Sequence, residues 1–132
     1  MKKYKIITYG CQMNENDSEK ISGMLKNMGY ETETDPSKCD VIVMNTCSVR
    51  ENADDHFFGN LGDLKAIKKK NPELIIATCG CMMQQQRIVD KINKKYPFVD
   101  IIFGTHNIYK FPELLHERIA HNERVQEIIK DT

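Results

Sequence analysis

The sequence predicts a doubly wound α/β domain, with a mostly parallel five-stranded sheet carrying helices on both faces. Two observations carry this reading. Near-continuous apolar runs of strand length recur along the chain, as expected of strands covered on both faces. Amphipathic segments with apolar residues three and four apart lie between them, and that alternation implies right-handed crossovers.

The elements follow in order. Residues 5–9 are rich in β-branched and aromatic side chains and stop at Gly10, giving a first strand and a tight turn. Asp17 or Ser18 is the expected cap of a helix whose face is Ile21, Met24, Leu25 and Met28, with Gly29 as its stop. Residues 30–34 read as a weaker strand closed by Asp35-Pro36-Ser37, and residues 39–45 as a buried strand. Over residues 50–70, Ala53, Phe57, Leu61, Leu64 and Ile67 or Lys68 keep a helical spacing. Gly59 and Gly62 interrupt it, so a bend or a close backbone approach is expected there. Asn71-Pro72 ends that helix, and residues 74–78 form another buried-type strand. A helix over 85–96 presents Ile88, Val89, Ile92 and Tyr96, a last strand spans 99–103, and a last helix over 108–120 turns Ile108, Phe111, Leu115 and Ile119 inward. The pattern is flavodoxin-like or Rossmann-like over residues 1–120, and residues 121–132 read as a tail or linker.

Composition narrows the function. The 132 residues hold 19 Lys+Arg against 19 Asp+Glu, and zero net charge argues against a chain that is itself a nucleic-acid clamp. No apolar run exceeds four residues, far short of the roughly 20 that a membrane span needs. The start lacks the apolar stretch of a secretory signal, so a cytoplasmic location and no membrane partner are expected. Thiols stay reduced there, and an odd set of five cysteines points to metal or redox chemistry before it points to a disulfide framework.

Ligand sites of open parallel sheets lie outside the carboxyl ends of the strands. Cys11 follows the first strand, Cys47 the middle one and Cys81 the next, so thiols from distant segments converge on one edge. Such a set suits a soft metal: zinc with an open fourth position, or an iron–sulfur cluster with one iron lacking a protein ligand. Helix N-termini expected just after these turns would stabilise negative sulfur. Any one buried cysteine taken alone is better read as a small apolar residue. Cys39, at the opposite end of its strand, is read that way, and the turn at Gly80 is expected to aim Cys79 into the sheet.

Other candidates are weaker. Neither G-x-G-x-x-G nor G-x-x-x-x-G-K-[ST] occurs, and the first loop, Cys11-Gln12-Met13-Asn14, is not the hydroxyl-rich phosphate cradle of a flavodoxin. His56, His116 and His121 are expected to be solvated, whereas His106 follows the last strand and faces the thiol edge. Lys68-Lys69-Lys70 and Lys94-Lys95 read as complements to helix dipoles rather than RNA contacts.

Thr8-Tyr9-Gly10-Cys11-Gln12-Met13-Asn14, Asn45-Thr46-Cys47-Ser48-Val49-Arg50-Glu51-Asn52-Ala53 and Gly80-Cys81-Met82 closely resemble the N-terminal domain of the methylthiotransferases, which are radical S-adenosylmethionine enzymes. The wording around the first two cysteines looks most like the tRNA branch that methylthiolates C2 of N6-isopentenyladenosine beside the anticodon. The resemblance implies that Cys11, Cys47 and Cys81 hold an auxiliary 4Fe-4S cluster whose open iron handles the sulfur to be transferred. Family members also carry a C-x-x-x-C-x-x-C motif for a second 4Fe-4S cluster and S-adenosylmethionine. Cysteine gaps of 28, 8, 32 and 2 give no such motif here. The resemblance therefore implies a domain without catalytic residues of its own, inactive alone, with tRNA and an intramolecular radical S-adenosylmethionine domain as partners in the full-length enzyme. Met83 stands where the family usually has a small residue, and Cys79 is an extra thiol open to a disulfide when the cluster is absent. The alternative from another class is a stand-alone α/β domain that binds zinc or a partner.

Overall fold

The computed structural model describes residues 2–10, 12–47 and 53–128. The strands are β1 (Lys3–Thr8), β2 (Glu31–Thr32), β3 (Val41–Thr46), β4 (Ile75–Gly80), β5 (Ile101–Phe103) and β6 (Val125–Glu127). The helices are α1 (Gln12–Asn27), α2 (Ala53–Lys70), α3 (Gln86–Lys95) and α4 (Phe111–His121). All strand pairs are parallel, in the order β2-β1-β3-β4-β5-β6, so the described sheet has six strands rather than the expected five. The sixth lies within the stretch read as tail or linker, where Val125 pairs with Ile101 and Glu127 with Phe103.

Alternation along β3 sorts the core into two layers. Ile42 and Met44 join Phe57, Leu61 and Leu64 of α2 and Ile88, Val89 and Ile92 of α3 on one face. Val41 and Val43 join Ile21 and Leu25 of α1 and Phe111, Leu114 and Leu115 of α4 on the other. Each large side chain so buried contributes roughly 1.5–3 kcal/mol before chain entropy is set against it. A strand buried on both faces has no polar side, which is why β3 and β4 read as unbroken apolar runs.

Several local expectations need correction. α1 starts at Gln12, ahead of the expected caps, because Asn14 is buried by partners across the sheet edge, and Ser18 lies inside the helix. The helix ends at Asn27, leaving Met28 39% exposed. β2 shrinks to Glu31–Thr32, since the chain turns away at Pro36, where Asp35 accepts from Ser37 N at 3.0 Å and caps a 3-10 turn. α2 is one helix, and a Cβ added at Gly59 or Gly62 meets nothing within 4 Å, so neither glycine marks a close approach. A 3-10 turn, Thr105–Lys110, precedes α4, and Ile119 is 48% exposed rather than inward.

The amino edge is closed by a charged knot. Asp100 accepts from Lys68 Nζ at 2.8 Å, Arg118 Nε at 3.0 Å and Ile76 N at 2.9 Å. Lys68 also donates to the Leu74 carbonyl, so it is a structural tie rather than a helix-end charge. Arg124 donates to Val99 O at 2.7 Å, tethering the chain that enters β6.

Candidate metal centre

The crossover from β1 leads to β2 on one side while β3 lies on the other, which places the reversal of strand order between β1 and β3. In open α/β sheets the ligand crevice forms there, outside the carboxyl ends. Register brings the expected residues to that place. Thr8, Asn45 and Cys79 lie side by side, and Thr46 pairs with Gly80. Cys47 and Cys81 follow directly on those two neighbouring strands. Cys47 is 3% exposed, and Cys81 is half-buried at the head of the 3-10 turn Cys81–Gln84.

Glycine lets the turns approach. Gly10 has φ +117°, and a Cβ there would overlap Cys47 Cβ and lie 2.8 Å from Asn14 Oδ1. Gly80 has φ +101°, and its Cβ would overlap the Thr46 carbonyl oxygen. Both backbones occupy space that any side chain would fill, at conformations that favour glycine. Cys11, the third expected ligand, lies outside the described residues, as do residues 48–52 that follow Cys47. Among the described residues no group of at least three His, Cys, Asp or Glu side chains is placed to hold a metal. The donors that are described are free thiols flanked by glycine turns, and their soft chemistry fits an iron–sulfur or zinc centre.

A network of neutral amides and hydroxyls lies beneath the thiols. Asn14 Nδ2 donates to Thr46 O at 2.8 Å, and Asn45 Nδ2 donates to Asn14 O at 2.8 Å and to Ser18 Oγ at 3.0 Å. Thr46 Oγ1 donates to Cys79 O at 2.6 Å, and the Ser18 and Thr8 hydroxyls meet at 2.7 Å. The sequence reading missed Asn14, Ser18, Asn45 and Thr46. The available clue was two polar residues, Asn45 and Thr46, ending a strand that is otherwise apolar and covered on both faces.

The remaining cysteines fall elsewhere. Cys79 is fully buried among Ala77, Ile101 and Phe103, with its Sγ 3.8 Å from Asn45 Oδ1, on the α1/α4 face rather than at the thiol edge. Burial, reinforced by the Asp17 carboxylate, pushes its thiol far above the ordinary range. Cys39 is 1% exposed just before β3 at the amino end, its thiol pushed up to about 11 chiefly by burial and then by Glu33. Met83 is fully buried and accepts from Thr78 Oγ1 at 3.4 Å. His106 is exposed on the turn after β5, and His56, His116 and His121 are also exposed.

The chain is similar to proteins called tRNA-2-methylthio-N(6)-dimethylallyladenosine synthase. The one from Clostridium perfringens is 59% identical over 128 residues, covering 97% of this chain and 29% of that protein. Its counterpart in Clostridium tetani is 60% identical over 123 residues, covering 93% and 27%, and that in Alkaliphilus oremlandii 62% over 114 residues, covering 86% and 24%. The chain thus spans less than a third of the length of these curated relatives. Among the described residues no helix is long and apolar enough to cross a membrane. A family model described as "Uncharacterized protein family UPF0004" matches residues 3–104, and with most of its length inside that match the chain belongs to this family.

Proposed function

We propose that this chain is the N-terminal domain of a cytoplasmic tRNA methylthiotransferase, in which Cys11, Cys47 and Cys81 ligate a 4Fe-4S cluster. The observation that carries the proposal is the register placing Cys47 and Cys81 beyond adjacent strands, beside the Gly10 turn that leads into Cys11. The names of the relatives support the reaction class, formation of 2-methylthio-N6-dimethylallyladenosine in tRNA, and the resemblance implies its place next to the anticodon. Three protein thiolates leave one iron of such a cluster open, and that iron is where the sulfur to be transferred would be held.

The rest is the work of this chain's own groups. Packing at Gly10 keeps Cys47 away from water, whereas Cys81 is only half-buried. α1 starts directly after Cys11 and points its N-terminus at the edge, where the positive end of its dipole favours thiolate. Among the described residues, the hydrogen bonds that link Asn14, Asn45, Thr46 and Ser18 under the thiols run between amides, hydroxyls and backbone carbonyls. S-adenosylmethionine and a second 4Fe-4S cluster belong to a radical domain of the longer parent, and tRNA affinity to domains outside this chain, a C-terminal RNA-binding domain among them. β6 pairs on β5 and so belongs with the domain, although it lies within the stretch read as a tail or linker towards that radical domain.

Anaerobic reconstitution tests this. The chain should take up about four irons. Alanine at Cys11, Cys47 or Cys81 should abolish uptake, and Cys39→Ala should preserve it. Unchanged iron in all three ligand variants, or a single zinc as the native metal, would overturn the proposal in favour of a stand-alone metal-binding domain.

A further inference from the structure

We propose that Asn14 and Asn45 are positioning residues that hold the Gly10 turn and the Cys47 turn together before any metal arrives. This rests on the cluster reading above but is tested without a cluster.

The two side chains form a reciprocal clamp. Asn45, at the end of β3, donates to the Asn14 backbone carbonyl at 2.8 Å. Asn14, in the first turn of α1, donates to the Thr46 carbonyl at 2.8 Å and to Asn45 Oδ1 at 3.4 Å. Asn45 is 0% and Asn14 4% exposed, so water does not compete for these bonds. Each residue lies within three positions of an expected ligand, Asn14 after Cys11 and Asn45 before Cys47. The clamp ties the first turn of α1, which follows β1, to the carboxyl end of β3, where the strand order reverses. Gly10 is pressed between Asn14 Oδ1 and Cys47, so displacing the Asn14 side chain frees the wall against which Cys47 packs. Asn rather than Asp is needed at both positions, because each must donate through Nδ2 to a backbone carbonyl.

The experiment follows alkylation of individual cysteines by iodoacetamide in the metal-free, reduced 132-residue chain, with peptide mass spectrometry. Cys39 is equally buried, lies at the opposite edge and reports general loosening. Asn14→Ala, Asn14→Asp and Asn45→Asp are each expected to raise the Cys47 rate by about tenfold, the scale of one lost buried hydrogen bond, with the Cys39 rate unchanged. Ser18→Ala, which removes only one bond to Asn45, gives a smaller rise and serves where the Asn45 variant does not fold. Parallel acceleration of Cys39 and Cys47, or no acceleration of either, would overturn the proposal. Iron release to a chelator from the reconstituted chain should be faster in the same variants. If the wild-type chain takes no iron, the cluster reading fails while the alkylation result still decides the role of the clamp.

Discussion

The two edges of the sheet both bury polar groups, and they do so with opposite chemistry. At the amino edge a carboxylate, Asp100, with its side chain 5% exposed, is held by Lys68 and Arg118 and by the Ile76 amide. At the carboxyl edge the linkers Asn14, Ser18, Asn45 and Thr46 are all uncharged. A charged knot is strong only while every partner is present, and it can sit at an edge with no further task. Neutral amides give up some of that strength but add no anion beside the Cys47 turn. The same sheet thus ties one end with ions and the other, among the described hydrogen-bond linkers, with neutral groups.

The largest effect expected from breaking this contrast is at the charged edge. Asp100→Ala leaves Lys68 and Arg118 without their buried partner and should cost about 3–5 kcal/mol in denaturant unfolding. Iron bound per folded chain should not change.

Gly80→Ala comes next. It sets a side chain against the Thr46 carbonyl at positive φ, and should cost about 1–3 kcal/mol while lowering iron uptake as the Cys47 turn is displaced. Gly59→Ala gives the opposite sign, because nothing lies within 4 Å of its added Cβ. Helix propensity should there raise stability by up to about 1 kcal/mol.

A pH dependence completes the series. Cys39 has its thiol raised from 9.0 to about 11, so its neutral form favours the folded state. That contribution is complete below pH 9 and is lost as pH rises towards 11. Burial raises Tyr9 and Tyr30 with the same sign. The melting temperature of the metal-free chain should fall across this window, and less steeply in Cys39→Ala.

How much of this was legible in the sequence differs between the edges in the same way. Apolar runs located β3 and β4, and the rule for parallel sheets then placed Cys47 and Cys81 together, because strand ends are fixed by local pattern. Asp100 and Lys68 were not legible as partners. They stand 32 positions apart and meet only where the end of α2 reaches the residue that enters β5. Asn14 was hidden for a related reason: a polar residue in a polar stretch looks solvated until a distant strand offers it a carbonyl. β6 escaped because three residues with one apolar side chain, Val125, carry too short a pattern, and its place is set by Asn107 Nδ2 donating to Glu127 O at 2.6 Å and by the 3.1 Å pair of Lys110 with Glu127.

A cluster held by three thiolates with one iron open has a signature in Mössbauer spectroscopy of the chain reconstituted with enriched iron. The account predicts four irons that divide about three to one, with the minor site alone shifting when a small thiol is added. Four irons that respond alike, or no cluster spectrum from a chain whose thiols are reduced, would contradict it.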